Sequence, residues 1–285
     1  MKIVEKFVFL LMIVLVSVTL ATAYLIFDDV PRGEAEGPFD IHLKHGDAAV
    51  WYLSHAGWAV KTSSVLMIFD YLPNGFLDPH SIKDQNVYVF ISHGHGDHFD
   101  RNILSWKEAI PNISYIFGWN DKDVQGHHVF GKERTSMSIG PLRVKNIFHD
   151  FDNIPESAFL VEVDGLTIYF SGDHGGWAGA LNPVYKDNID YMSQRSNEFA
   201  LVFLSIFGSP TYDAELYAIK QFAPRVVLPM HLGGREADAE GFIRLARIKY
   251  PKAKFWFPLR KGDGFLYKNG EIIPISLDDS ARDSR

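Results

Sequence analysis

ISHGHGDHFD, Ile91 to Asp100, sets three histidines and an aspartate, His93, His95, Asp97 and His98, within six residues. It directly follows Val87-Tyr88-Val89-Phe90-Ile91, a continuous apolar run of the kind that forms a buried strand, and Gly94 and Gly96 break it into a turn. The four side chains are therefore expected in a tight loop at a strand end. Imidazole nitrogen and carboxylate oxygen are the donors that suit zinc and neighbouring transition metals. Alternation along the loop lets His93 and His95 point together while Asp97 and His98 turn toward a second position.

If this loop binds metal, its partners should come from other strand ends, because convergent loops are how a sheet builds a site. Further strands are expected at Ala49 to Leu53, Val65 to Phe69, Leu142 to Phe148, Ala158 to Val163, Leu166 to Phe170, Leu201 to Ser205 and Val226 to Met230. Helices are expected at Arg101 to Ile110, Ala214 to Phe222 and Ala237 to Tyr250, with Pro224 and Pro251 closing the last two. Such a chain is α/β, with strands too numerous for one simple βαβ sheet and enough for two sheets covered by helices. Three of the expected strands run into ligand-type residues: His149 after Phe148, Asp173 in Ser171-Gly172-Asp173 after Phe170, and His231 after Met230. Taken singly, each has an ordinary reading as a loop or turn residue. Joined to the first loop, they read as one site.

This pattern resembles the metallo-β-lactamase-fold hydrolases, over residues from about Ile41 to Leu266. WYLSHAGWAVKTSSVLMIFDYLP before the loop, HDFDNIPESAFLVEVDGLTIYFSGDHG in the middle and RVVLPMHLGG near the end look most like the ascorbate-6-phosphate lactonase-like group. That group includes relatives similar to the phospholipase D acting on N-acylphosphatidylethanolamine. The resemblance implies an αββα sandwich with its site at one edge of the two sheets. It makes His93, His95 and His149 ligands of a first metal and Asp97, His98 and His231 ligands of a second, with Asp173 bridging both. A hydroxide held between the metals is then the nucleophile, oriented by Asp97, and no serine or cysteine is needed. The chain lacks the cysteine of thiol-ligated relatives and has His95 where the di-iron oxygen-reducing members carry glutamate. No segment reads as the RNA-gripping arm of the transfer-RNA-processing members.

Around that set, His174 is read as a proton donor to the leaving group or a substrate contact, or else as a solvated loop residue. Asp70 is a candidate carboxylate orienting a ligand histidine, and His55 a residue at the site's edge; a turn-capping Asp and a core His are the plainer readings. Trp119, Trp177, Phe207 and Tyr212 fall in loops that could wall a pocket. The predicted cofactor is two divalent metal ions, zinc first, with manganese and iron also accepted by such ligands.

The rest of the chain bounds the function. A net charge of −7 without a long basic run does not suggest a nucleic-acid surface. The absence of cysteine removes disulfides, iron-sulfur clusters and thiolate ligands together. After Lys2 and Lys6, Phe7 to Phe27 carries no charge and is long enough to span a bilayer, and Ala21-Thr22-Ala23 forms a cleavage-like pattern. A buried core helix is the plainer alternative, but the segment is expected to be a hydrophobic helix acting as a membrane anchor or, if cleaved after Ala23, a signal. Either reading exports the remainder of the chain, leaving it membrane-anchored or secreted or periplasmic. Residues 28–40 read as a linker, 41–276 as the hydrolase domain and 277–285 as a polar tail. The expected activity is cleavage of an ester, lactone or phosphodiester bond outside the cytoplasm, on a small-molecule or lipid substrate. The competing readings are a small-molecule lactonase and a non-catalytic metal-binding protein on the same fold.

Overall fold

Strands that are apolar along their whole length suit the interior of a parallel sheet covered on both faces. In the computed structural model, which describes residues 39–120, 126–151, 154–175, 181–207 and 211–275 without the side chains of 149–151, such strands lie at the centre of two sheets. Cα packing divides the chain into Met1–Asp40 and Ile41–Arg285, and every strand and helix described belongs to the second unit. The expected hydrophobic segment, nearly all of the linker, the polar tail and Trp177 lie outside the described residues. No helix among those described is long and apolar enough to cross a membrane.

One sheet holds β1 (Ala48–Ser54), β2 (Gly57–Lys61), β3 (Leu66–Phe69), β4 (Val87–Ile91), β5 (Ile113–Phe117) and β6 (His128–Val129), continued beyond β1 by β14 (Gly264–Lys268) and β15 (Glu271–Ile275). It is antiparallel from β15 to β3 and parallel from β3 to β6. The other runs in the order β13 (Lys254–Phe255), β12 (Val226–Met230), β11 (Leu201–Ser205), β10 (Leu166–Phe170), β9 (Ile154–Val163), β8 (Leu142–Phe151) and β7 (Ser136–Ile139). It is parallel from β13 to β10 and antiparallel beyond.

The two sheets share one core. Phe69 stacks on Phe90 at 4.8 Å and on Phe170 of the other sheet at 4.7 Å, while Phe90 meets Phe159 edge-on at 5.4 Å. Side chains alternate along a strand, so Phe170 and Phe203 enter this core while Tyr169, Val202 and Leu204 face the opposite way. That opposite face is covered by α1 (Pro183–Ser193), α2 (Asp213–Phe222) and α3 (Glu236–Lys249), through residues such as Ile189, Ile219 and Phe242.

The α/β sandwich of two sheets agrees with expectation; its expected fourth layer needs correction. Arg101–Glu108, expected to be α-helical, is a 3-10 helix. Asp100 caps its start, accepting from the Asn102 amide at 3.0 Å, while Ser105 Oγ donates to the Asn102 carbonyl at 2.7 Å, a local bond that competes for a helical acceptor. The segment still covers its sheet: Trp106 meets Tyr71 at 4.7 Å, and the Tyr115 hydroxyl donates to the Ile103 carbonyl at 2.7 Å.

Glu215, in the first turn of α2, is an unusual core residue. It is 1% exposed, and neither side-chain oxygen has a hydrogen-bond partner. Burial pushes its carboxyl up from 4.5 to about 7. The folded state therefore holds a proton that the unfolded chain releases, so this group's contribution to stability is present below about pH 4.5 and is lost as pH rises to about 7. Glu215→Gln is expected to melt like the wild type near the acid end of that window. Near pH 8 it should be more stable by up to about 3 kcal/mol, from roughly 1.4 kcal/mol per pKa unit. Equal stability of the two proteins in denaturant titrations near pH 8 would contradict this assignment.

Candidate metal centre

Parallel pairing delivers strand C-termini to one edge, and ligand-bearing turns with them. Phe69 pairs with Phe90, Phe170 with Phe203 and Ser205 with Met230. Asp70, Ser92, Ser171 and His231 each come immediately after one of these strands. β8 reaches the same edge through β9, with His149 opposite Glu156 in the register; the His149 side chain lies outside those described. Gly172 closes the gap between the two sheets. It has a φ of +53°, and a Cβ there would lie 2.6 Å from Ser92 Cβ, so only glycine lets the turn after β10 settle on the turn after β4.

Asp173 thereby lies between two groups of histidines. Its Oδ2 is 3.6 Å from His93 Nε2, while its Oδ1 is 3.2 Å from His98 Nε2 and 3.7 Å from His231 Nε2. His95 Nδ1 lies 2.9 Å from His93 Nε2. On the other side, His231 Nε2 is 3.9 Å and His55 Nε2 3.4 Å from Asp97 Oδ2. Ligand atoms of a tetrahedral ion stand roughly 3.4 Å apart, given bonds of about 2.1 Å. His98 Nε2 and Asp173 Oδ1 are buried and close, yet no hydrogen bond joins them. His93, His98 and Asp173 form one group, and His55, Asp97, His98 and His231 another, each with one atom per residue within 4.8 Å of the others. This nitrogen and oxygen donor set fits divalent cations.

A buried network holds the ligand-type side chains. Asp70, fully buried, accepts from the Ser92 amide and from Ser92 Oγ, each at 2.7 Å, and lies 2.7 Å from His98 Nδ1. Ser92 spends its hydroxyl hydrogen on Asp70, so its oxygen is left to accept from His93 Nδ1 at 3.0 Å. Nδ1 of His93 and of His98 therefore carries a proton, which leaves Nε2 of the neutral His93 with a lone pair toward Asp173; Nε2 of His98 offers one only once its ring gives up the second proton that Asp70 and Asp173 favour. Ser92 carries no signal in the sequence that marks it for this role. Neither does Glu156, 2% exposed, whose Oε2 is 3.7 Å from His93 Nδ1.

The electrostatics follow from this crowding. Burial, reinforced by His98, lowers His93 to about 3; burial likewise lowers His231 to about 4 against the pull of Asp173. Both are neutral near pH 7, the form that can ligate. Burial opposes charge on His98, but Asp70 and Asp173 flank it and hold its pKa well above the ordinary value. Burial raises Asp173, yet His98, His231 and His93 outweigh it and hold the carboxyl at about 2. His55, with Nε2 3.4 Å from Oδ2, does most to keep Asp97 below the usual carboxylate range.

His174 lies outside this cluster, and its burial corrects the reading of a solvated loop residue. It is 2% exposed, its Nδ1 is 3.3 Å from the Tyr169 hydroxyl, its Nε2 is 3.1 Å from Asn188 Nδ2, and it stacks on Tyr185 at 4.9 Å. The chain turns between Asp173 and His174, so the neighbours face different compartments. Among the aromatic residues, the Phe207 ring is 5.0 Å from that of His231, and a Cβ on Gly94 would be 3.4 Å from Trp119. Tyr212 instead donates its hydroxyl to the Asp238 carbonyl at 2.9 Å.

Comparison with known proteins extends these observations. A family model described as beta-lactamase superfamily domain matches residues 49–231. A UPF0173 metal-dependent hydrolase of Pyrococcus abyssi is 26% identical over 223 residues, covering 70% of this chain and 92% of that protein. A UPF0173 metal-dependent hydrolase of Desulforamulus reducens is 28% identical over 201 residues, covering 63% of this chain and 82% of its own. Among solved structures, the metallo hydrolase Igni18 of Ignicoccus hospitalis aligns with a TM-score of 0.59 at 18% identity, over 78% of this chain and 99% of that one. That last likeness speaks to the fold alone.

Proposed function

The chain belongs to the metallo-β-lactamase superfamily, and on that premise we propose that it is a two-metal hydrolase of an ester, lactone or phosphodiester bond. Metal-dependent hydrolysis is its activity class. The observation that carries the two-metal reading is the position of Asp173, whose two oxygens face different histidines. His93, His95 and His149 would hold one ion and Asp97, His98 and His231 the other, with Asp173 shared. Divalent ions bound there, zinc by preference, would acidify a water so that hydroxide is available near neutral pH and would polarise the oxygen under attack. The chain's own part is to hold these donors rigidly. Asp70 and Ser92 fix His98 and His93, and the stacked Phe69, Phe90 and Phe170 form a dry floor beneath the turns.

The finer reading is a member of the ascorbate-6-phosphate lactonase-like group, supported by the segments around His55, Asp173 and His231. Export through Phe7 to Phe27 would bring the site near membrane lipid, which favours a lipid phosphodiester. Recovery of the protein in the cytosolic fraction would reject that location. For the activity, the purified protein is assayed on lactones, carboxylic esters and phosphodiesters before and after chelation. At least one class should be hydrolysed, with a loss of roughly 100-fold or more on chelation and recovery with zinc or manganese. Turnover that survives complete removal of metal would sink the proposal. Bound metal with no turnover across the panel would favour a non-catalytic metal-binding protein.

A further inference from the structure

His55 stands close enough to Asp97, His98 and His231 to pass for a ligand, but its hydrogen bonding differs from theirs. A ligating imidazole needs a lone pair on the nitrogen that meets the metal and donates the proton of the other to an outer acceptor. His98 obeys that rule with Nδ1 on Asp70, and His93 with Nδ1 on Ser92. His55 reverses it. Its Nδ1 accepts from the backbone amide of Gly233 at 3.1 Å, and in a neutral ring that places the proton on Nε2.

The reversed arrangement is built into the backbone. His55 has a φ of 45° and His231 a φ of 66°, both in the left-handed region that side chains seldom occupy. The Leu232 amide donates to the His55 carbonyl at 3.3 Å, so the turn between β1 and β2 is laced to the loop after β12. A Cβ on Gly233 would lie 2.7 Å from His55 Nδ1, so glycine is what lets that amide reach the ring. The imidazole is half-buried, packed 4.1 Å from the His231 ring, and its Nε2 faces Asp97 Oδ2 at 3.4 Å, close but without a formed hydrogen bond.

We infer that His55 is a positioning residue and not a metal ligand: Gly233 fixes it as the Nε2–H tautomer, and that N–H holds the Asp97 carboxylate in place beside His231. The inference rests on the two-metal reading for its consequence and on the tautomer for its substance. An Nε2–H directed at the carboxylate from 3.4 Å holds it without net charge on the ring, so the donor adds no repulsion to a cation beside it.

The test uses the full chain with ¹⁵N-labelled histidine, whose long-range ¹H–¹⁵N spectrum at about pH 8 distinguishes protonated from bare ring nitrogens; comparison with His55→Gln assigns the His55 signals. The expected result is a protonated, unligated Nε2 and a bare Nδ1 on His55, with and without zinc. His55→Ala should keep the wild-type number of zinc ions per chain and the visible spectrum of its cobalt form. Its kcat/KM on whichever substrate the panel yields should fall roughly 10- to 100-fold, the usual effect of removing an outer-shell partner. His55→Gln, which retains an N–H, should recover much of that loss. A bare Nε2 on His55, or loss of one ion per chain in His55→Ala, would overturn the inference. A wild type that binds fewer than two ions would defeat the two-metal reading instead, and the tautomer, readable in metal-free protein, would still decide the role of His55.

Discussion

Asn in place of Asp173 is expected to lower kcat/KM by roughly three orders of magnitude or more, the equivalent of about 4 kcal/mol of lost transition-state stabilisation. The reason is geometric. Oδ1 faces His98 and His231 while Oδ2 faces His93, so one carboxylate serves both groups. An amide keeps the shape and one oxygen but loses the negative charge and the second acceptor. The loss also falls on the protein's own balance, because His98 is held charged between Asp173 and Asp70. Steady-state kinetics on the best substrate of the panel, alongside the metal content of the variant, checks this outcome. Activity within tenfold of wild type would show that Asp173 does not join the two groups.

The second large effect is on stability. Asp70 is fully buried and satisfies the Ser92 amide, the Ser92 hydroxyl and His98 Nδ1. Asp70→Ala leaves those three donors in the interior without their acceptor, and removal of one partner from a buried charged pair costs about 3–5 kcal/mol. Denaturant unfolding of the metal-free protein measures that cost without any contribution from bound ions. Metal affinity should fall as well, by roughly 10- to 100-fold, because His98 loses the carboxylate that orients it. A variant as stable as wild type would mean that water replaces the carboxylate, and the account of the buried network would fail.

The legible parts of the fold are those where one local pattern decides the outcome. β4, β10, β11 and β12 are almost wholly apolar runs with the bounds the sequence suggests, because strands buried on both faces carry few polar residues; Thr167 within β10 and Ser205 at the end of β11 are the exceptions. β3 and β1 differ from expectation only at their ends. β5 is absent from the expected strands although ISYIF is a short apolar run, and β14 and β15 are absent because their alternation is weak. α1 escapes notice since Asn, Asp and Tyr dilute its helical pattern; Asn182 capping the Tyr185 amide, with Pro183 behind it, is the available signal.

At the site, ligand-type residues are visible because each ends an apolar run. The structure brings His93, His95, Asp97, His98, Asp173 and His231 together at one sheet edge. Asp70 is a candidate from its place at the end of an apolar run, but the Ser92 link from it to His93 is not legible, since it depends on the register of β3 against β4, which sequence spacing does not encode. The place of His174 is not legible for a related reason: adjacency to Asp173 says nothing about which way the turn after β10 aims the next side chain.

Metal content per chain tests the central claim most directly. The purified protein is stripped with chelator, equilibrated with excess zinc, desalted and analysed for zinc and protein together. Two ions per chain are predicted, held by the two groups that share Asp173. One ion or none at saturation would contradict the two-metal account and leave the divided oxygens of Asp173 without their proposed role.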